Sequence, residues 1–353
     1  MSDTQSFKKS SIVVTGIVVL LALVLFTLWP AAQIFLVIFA AILFAILVDG
    51  LAMLITQWLR MPQGIARGTV MLLLLAALIA FLMLAGPRFS DQVSELADRL
   101  PLAVDRLNKM ITAQPWGQLL KNIELIERLK PSAPEILADV TVVFSTTFKA
   151  IANIFVIGFI GFYLALQPEI YVRGFLHLIP KQIRGRAAEV LDALGHALRW
   201  WLVGRFTSMA IVGVLTTLAL GLIDMPLALV LGVIAGLFTF VPFIGPISSV
   251  IPAMLIGLME SPLMAFYALI IYSVVQFIEG NFLTPLIQKR IIAMPPALLL
   301  AAQFFMGVFY GLFGLLLATP LAVTGTVLVQ MLYVQDFLKD SVRVLGQHGH
   351  RPE

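Results

Sequence analysis

The sequence predicts an all-α polytopic integral membrane protein, and three observations carry that expectation. Of its 353 residues 60% are hydrophobic and only 12% are charged, and the mean hydropathy of +1.01 lies far outside the range of soluble domains. Apolar runs near the roughly 20 residues needed to cross a hydrocarbon core recur along the whole chain. Two of the later runs are interrupted midway by Gly/Pro clusters. The expected fold has about eight membrane helices, including two Gly/Pro-broken hairpins, expected to be re-entrant and in inverted orientation, plus a small helical extracytoplasmic insertion.

Taken in order, membrane helices 1–3 occupy residues 1–86, with runs at roughly 11–29, 31–48 and 68–86. Lys8 and Lys9 precede the first run as they would in a signal peptide, but its apolar length exceeds the usual 7–15 residues, so it reads as a retained anchor. Residues 87–140 form the insertion. Within it Val93, Leu96, Leu100, Val104, Leu107 and Ile111 recur at three- and four-residue spacing among Asp91, Glu95, Asp98, Arg99, Asp105, Arg106 and Lys109. That is an amphipathic helix in need of a partner, and Pro115, Pro131 and Pro134 break the segment into two or three short helices. Membrane helix 4 follows at 141–166.

Residues 167–200 repeat the amphipathic pattern, with Ile183, Ala187, Val190, Leu191, Leu194, Leu198 and Trp201 on one face beside Lys181, Arg184 and Arg186. A cytoplasmic helix at the interface, leading into the next span, is the expectation. The transport core is placed at 201–335, with spans near 200–223 and 262–287 and broken hairpins at 226–258 and 297–335. Residues 336–353 are a tail.

Loop charge orients these spans. Lys8, Lys9, Arg60, Arg67, Arg173, Lys181, Arg184, Arg186, Arg199, Lys289, Arg290, Lys339 and Arg343 can all be placed on one side, whereas the turns at Trp29-Pro30, Asp224 and Glu260 carry no Lys or Arg. By the positive-inside rule both termini are cytoplasmic. This orientation also explains the net charge of +4 without nucleic acid. The first hairpin then enters from outside, with Pro242 to Pro246 innermost, and the second from inside, with Ala318-Thr319-Pro320 outermost. Non-helical backbone at membrane depth is tolerated where it lines a cavity, and paired broken helices mark transporter sites. The alternative is that these residues only kink helices and let them pack closely.

Phe240-Val241-Pro242-Phe243-Ile244-Gly245-Pro246 with Pro252, the run from Gln276 through Glu279-Gly280-Asn281 to Pro285 and Ile287, Pro295, and Leu315 to Pro320 resemble the autoinducer-2 exporter family of bacterial membrane transporters. The resemblance covers nearly the whole chain. It implies an inner-membrane permease exporting a small polar solute, a homo-oligomer with pentamers expected, and an elevator-like moving unit in each protomer. Sodium/proton exchange, implied by relatives, is the alternative, with a passive channel or membrane scaffold behind it.

Glu279 lies in a run from Pro262 to Ile287 that holds no other charge, and a central carboxylate costs at least about 2.5–3.5 kcal/mol at membrane depth. Gln276 shares its helical face and Asn281 follows Gly280, where the backbone is expected to unwind before Pro285. Together they suit a hydroxylated solute, or a proton or monovalent cation. The bland reading pairs Glu279 with Arg205 or Lys149. Pro242, Gly245, Pro246, Thr319 and Pro320 complete the candidate site. Asn153, Lys149, Arg205 and Gln303 are weaker candidates, while Thr239, Ser248 and Ser249 are expected to bond their own backbone. With no cysteine, four scattered histidines and no hydrolase, zincin or nucleotide-loop motif, no enzyme, metal or cofactor is expected. On sequence alone Glu279→Gln is expected to lower transport without lowering the amount of folded protein.

Overall fold

The computed structural model describes residues 32–57, 60–84, 86–112, 153–283 and 294–341. These form helices and connecting turns, with no strand among the described residues. In chain order the helices are α1 (Ala32–Gln57), α2 (Gln63–Leu84), α3 (Gly86–Thr112), α4 (Asn153–Leu166), α5 (Pro168–His177), α6 (Arg184–Leu222), α7 (Ala228–Phe238), α8 (Ile244–Glu260), α9 (Pro262–Ile278) and α10 (Pro296–Leu328). π-helical turns extend α9 over Glu279–Leu283 and α10 over Val329–Phe337.

Among the described residues four helices are long and apolar enough to span a bilayer, or five if the 87° bend between α4 and α5 lies within one span. The expected run at 11–29 lies outside the described residues. Leu222, Phe304 and Leu312 are 86%, 75% and 72% exposed, which suits contact with lipid rather than water.

The boundary expected near residue 200 falls inside one continuous helix. The amphipathic segment and the following span are both part of α6, whose 39 residues run about 58 Å, close to twice the hydrocarbon thickness. Nothing in its sequence interrupts it. α6 is the spine of the molecule. Its first half, through Val190, Ala193, Leu198 and Leu202, packs with Leu43 and Leu47 of α1 and Leu317, Val323 and Val327 of α10. Its second half, through Val212 and Leu220, packs with Leu231 and Ala235 of α7, Ala253 and Ile256 of α8, and Ala268, Tyr272 and Val275 of α9.

The amphipathic helix expected at the start of the insertion is α3, 27 residues long and carrying Pro101 inside it. Its apolar stripe finds its partner on the first hairpin. Ala103 is buried, Leu96 packs against the α7–α9 core, Arg99 pairs with Glu260 at 3.1 Å and Arg106 donates to the Met259 carbonyl. The remainder of the insertion, with its prolines, lies outside the described residues.

Both broken stretches are helix-turn-helix hairpins. In the first, α7 ends at Phe238 and α8 begins at Ile244. Phe243 stands at φ 65, ψ −59 and the Ile244 N–H donates to the Pro242 carbonyl at 2.8 Å. That is a γ-turn of the rare, strained hand. Gly245 and Pro246 sit in the first turn of α8, where a missing N–H costs nothing. A Cβ on Gly245 would collide with the Phe238 carbonyl, so only glycine lets the arms meet.

The second hairpin turns at Gly311 (φ 60, ψ −147), within the glycine cluster Tyr310-Gly311-Leu312-Phe313-Gly314 that interrupts the run midway, whereas Ala318-Thr319-Pro320, expected as its outermost reach, follow the turn. This backbone conformation is essentially restricted to glycine. Residues eight apart in a straight helix are about 12 Å apart, yet a Cβ on Gly314 would strike the Met306 carbonyl. The chain therefore doubles back. Pro320 is held within the returning arm and buried with Ala318 and Thr319, because a proline removes one helical hydrogen bond without dictating a reversal.

Candidate functional site

The turn of the first hairpin faces the junction between the two halves of α6, and Arg205 occupies that junction. Its Nε donates to the Phe240 carbonyl at 3.1 Å and its Nη1 lies 3.3 Å from Glu279 Oε1. Gln276 Nε2 donates to the other Glu279 oxygen at 2.8 Å. Trp201 and Phe206 pack edge-on against the Phe240 ring, so the α6 face that presents Arg205 also grips the residue whose carbonyl it holds. The Arg205 and Glu279 side chains are only 14% and 8% exposed. A buried pair of this kind offers modest net stability, but breaking it by removing one partner costs about 3–5 kcal/mol.

Glu279 is thus paired with Arg205, one of the two partners considered from sequence; the other, Lys149, lies outside the described residues, as does Pro285. The backbone around Gly280 does unwind from α-helix, into the π-helical turn Glu279–Leu283, a form often found at functional positions. Asn281 does not join the cluster, since its exposed amide donates back to the Phe277 carbonyl at 3.0 Å. Asn153 is exposed at the start of α4. Pro242, Gly245 and Pro246 come together in and after the turn that Arg205 holds. Thr239 and Ser249 bond their own backbone, to the carbonyls of Ala235 and Pro246, as expected of hydroxyls in such helices.

Gln303, in the first arm of the second hairpin, is fully buried, and neither amide nitrogen nor amide oxygen has a hydrogen-bond partner. Each such orphan costs about 1–3 kcal/mol. Thr319 and Pro320 are buried on the opposite arm.

Two ion networks were not visible from sequence. Asp49 of α1 bridges Arg67 of α2 at 2.9 Å and Arg199 of α6 at 2.7 Å. Arg67 also reaches Glu169 of α5 at 3.4 Å. Arg186 near the start of α6 bonds Asp336, Gln335 and the Met331 carbonyl of the last π-helical turn, as well as Glu189. From sequence all three arginines, Arg67, Arg186 and Arg199, read only as loop charge. Clusters of three or more His, Cys, Asp or Glu able to hold a metal are absent among the described residues.

A helical membrane protein with two folded-back apolar segments and a buried charge pair at the turn of one of them has the build of a solute-handling membrane protein rather than an enzyme. The model of the AI-2E family transporter matches residues 17–333, and the chain belongs to that family. It is similar to the AI-2 transport protein TqsA of Escherichia coli, 24% identical over 89% of this chain and 90% of the relative. It is also similar to two Bacillus subtilis proteins named "Putative transport protein" YueF and YrrI. These are 26% identical over 70% of this chain and 71% of the relative, and 23% identical over 80% and 83%. The protein is a membrane transporter.

Proposed function

We propose that the protein exports a small polar solute resembling autoinducer-2 by alternating access of an elevator type. The observation that carries this reading is Arg205, which ties the Phe240 carbonyl in the first hairpin turn to Glu279 at the unwound end of α9. A single side chain on the α6 spine therefore links a broken helix to a buried acid at the end of α9. Movement of the first hairpin relative to α6 must break the Arg205–Phe240 bond or carry the arginine side chain with it. The similarity to TqsA, a protein named for AI-2 transport, supports the solute class.

In this reading the solute site lies between the hairpins, lined by Glu279 and Gln276 at the end of α9, by Pro242, Gly245 and Pro246 of the first hairpin and by Thr319 and Pro320 of the second, with Asn281 and Pro285 at its edge. The hairpins are re-entrant and enter from opposite faces, within a membrane domain of about eight helices. Both termini are cytoplasmic in a bacterial inner membrane, on the distribution of Lys and Arg. The working form is a homo-oligomer, with a pentamer expected, and the exposed apolar side chains supply surface for that as well as for lipid.

Efflux of labelled autoinducer-2 from proteoliposomes tests the proposal. Saturable flux that falls in Arg205→Gln supports it. Sodium flux driven by a pH gradient with no solute movement would replace it with sodium/proton exchange, and unsaturable flux of solute would replace the carrier with a channel.

A further inference from the structure

The Glu279–Arg205 pair leaves unexplained the most anomalous polar group among the described residues. Gln303 is at 0% exposure with both ends of its amide unpaired. Buried polar side chains are nearly always bonded, so an orphan on this scale needs a physical cause. The chemistry of the position asks for leucine, the residue that fills three of the four places just before Ala301.

The register of the second hairpin identifies what faces Gln303. Near the turn, Gly314 lies against Met306 and Tyr310, and Gly307 against Leu315, where a Cβ would be 3.8 Å from Cδ1. Carrying this pairing one helical turn further brings Gln303 level with Ala318 and Thr319, which are 0% and 3% exposed. Both are small, and Thr319 adds a hydroxyl. Pro320 has no N–H, which removes the donor an α-helix would offer to the Leu316 carbonyl. The facing arm thus holds a hydroxyl and an under-bonded carbonyl within one turn of an unpaired amide, inside otherwise apolar packing.

We propose that Gln303 is a solute-binding residue, with Thr319 opposite it, for the hydroxyl groups of a small uncharged solute. The amide supplies two N–H donors and one acceptor oxygen, and both are unsatisfied. A monovalent cation would satisfy only the oxygen and leave the N–H groups orphaned. A solute hydroxyl both donates and accepts, so it completes the amide. The solute reaches this site when the arms of the second hairpin part. The substrate class deepens the transporter reading and rests on it for passage across the membrane, but binding at Gln303 does not.

The test compares wild-type protein with Gln303→Leu and Gln303→Asn, using autoinducer-2, a small hydroxylated molecule, as the probe. Thermal unfolding in lipid nanodiscs reads binding without flux. Without solute, Gln303→Leu is expected to unfold about 2–4 °C above wild type, since it removes the unpaired amide. Autoinducer-2 raises the wild-type Tm, raises that of Gln303→Asn less and leaves that of Gln303→Leu unmoved. In proteoliposomes the leucine variant has its KM for autoinducer-2 raised by about tenfold or more, matching the loss of roughly one good interaction.

An equal solute-induced shift in wild type and Gln303→Leu overturns the proposal, as does wild-type KM in the leucine variant. A wild-type Tm that responds to sodium chloride through Gln303 and not to autoinducer-2 overturns it in favour of a cation site. A wild-type Tm indifferent to autoinducer-2 removes the hydroxylated solute. A Gln303-dependent shift with no flux in wild type upholds the binding site and defeats the transporter reading alone.

Discussion

Glu279→Gln distinguishes a working charge pair from a structural one. The carboxylate accepts from Arg205 Nη1 at 3.3 Å and from Gln276 Nε2 at 2.8 Å. A glutamine at 279 can direct its oxygen to Arg205 and its nitrogen to Gln276, whose amide can rotate to present its own oxygen. These two hydrogen bonds are then retained in number while the charge is lost. Arg205, 14% exposed, is left as a cation among neutral acceptors. Removing one partner of a buried pair costs about 3–5 kcal/mol, and conserved bonding places this change near the lower figure. Against the ordinary total of about 5–15 kcal/mol, a loss near 3 kcal/mol is visible. Glu279→Gln is therefore expected to lower both thermal stability and transport, unlike the expectation from sequence that folded protein would be unaffected. In the double variant Glu279→Gln with Arg205→Gln the orphaned cation is gone, so stability recovers in part while transport stays low. The assays are heat-challenge chromatography in detergent and flux per folded protein. Unchanged stability in Glu279→Gln refutes the claim that the pair is desolvated, and a double variant with restored transport refutes its functional role.

Gly245→Ala should destabilise the first hairpin by about 1–3 kcal/mol and impair flux, because the obstruction is the Phe238 backbone rather than a side chain that can swing aside; wild-type Tm and flux would show that the arms do not meet. Gly311→Ala should cost about 1–3 kcal/mol through its φ of 60 and ψ of −147, read as faster proteolysis at the second hairpin turn. Arg186→Gln should raise amide exchange over 329–337, which it holds through Met331, Gln335 and Asp336, and leave exchange in α7 and α8 unchanged; an equal rise in both would mean that the contact does not act locally.

Apolar length, loop charge and the Gly/Pro clusters were enough to predict a helical membrane protein, the two hairpins and the amphipathic faces of α3 and α6, because those properties are local and periodic. The hydrophobic stripe from Val93 to Ile111 called for a partner, and the first hairpin supplies it through Leu96. The sequence also singled out Glu279 as the lone acid of its span and Arg205 as one partner open to it. Tertiary structure alone decided that they meet, since 74 residues separate them and no spacing rule spans that distance. It also decided between Gly311, in the midway glycine cluster, and the expected outermost reach at Ala318-Thr319-Pro320: both Gly311 and Pro320 break helical rules, and only the approach of Gly314 to Met306 shows which one reverses the chain. Asp49, Arg67 and Arg199 lie on three different helices, so their bridging belongs to the fold and not to any segment. Gln303 is the sharpest case, an ordinary amide in the sequence whose cost arises from burial and the want of a partner.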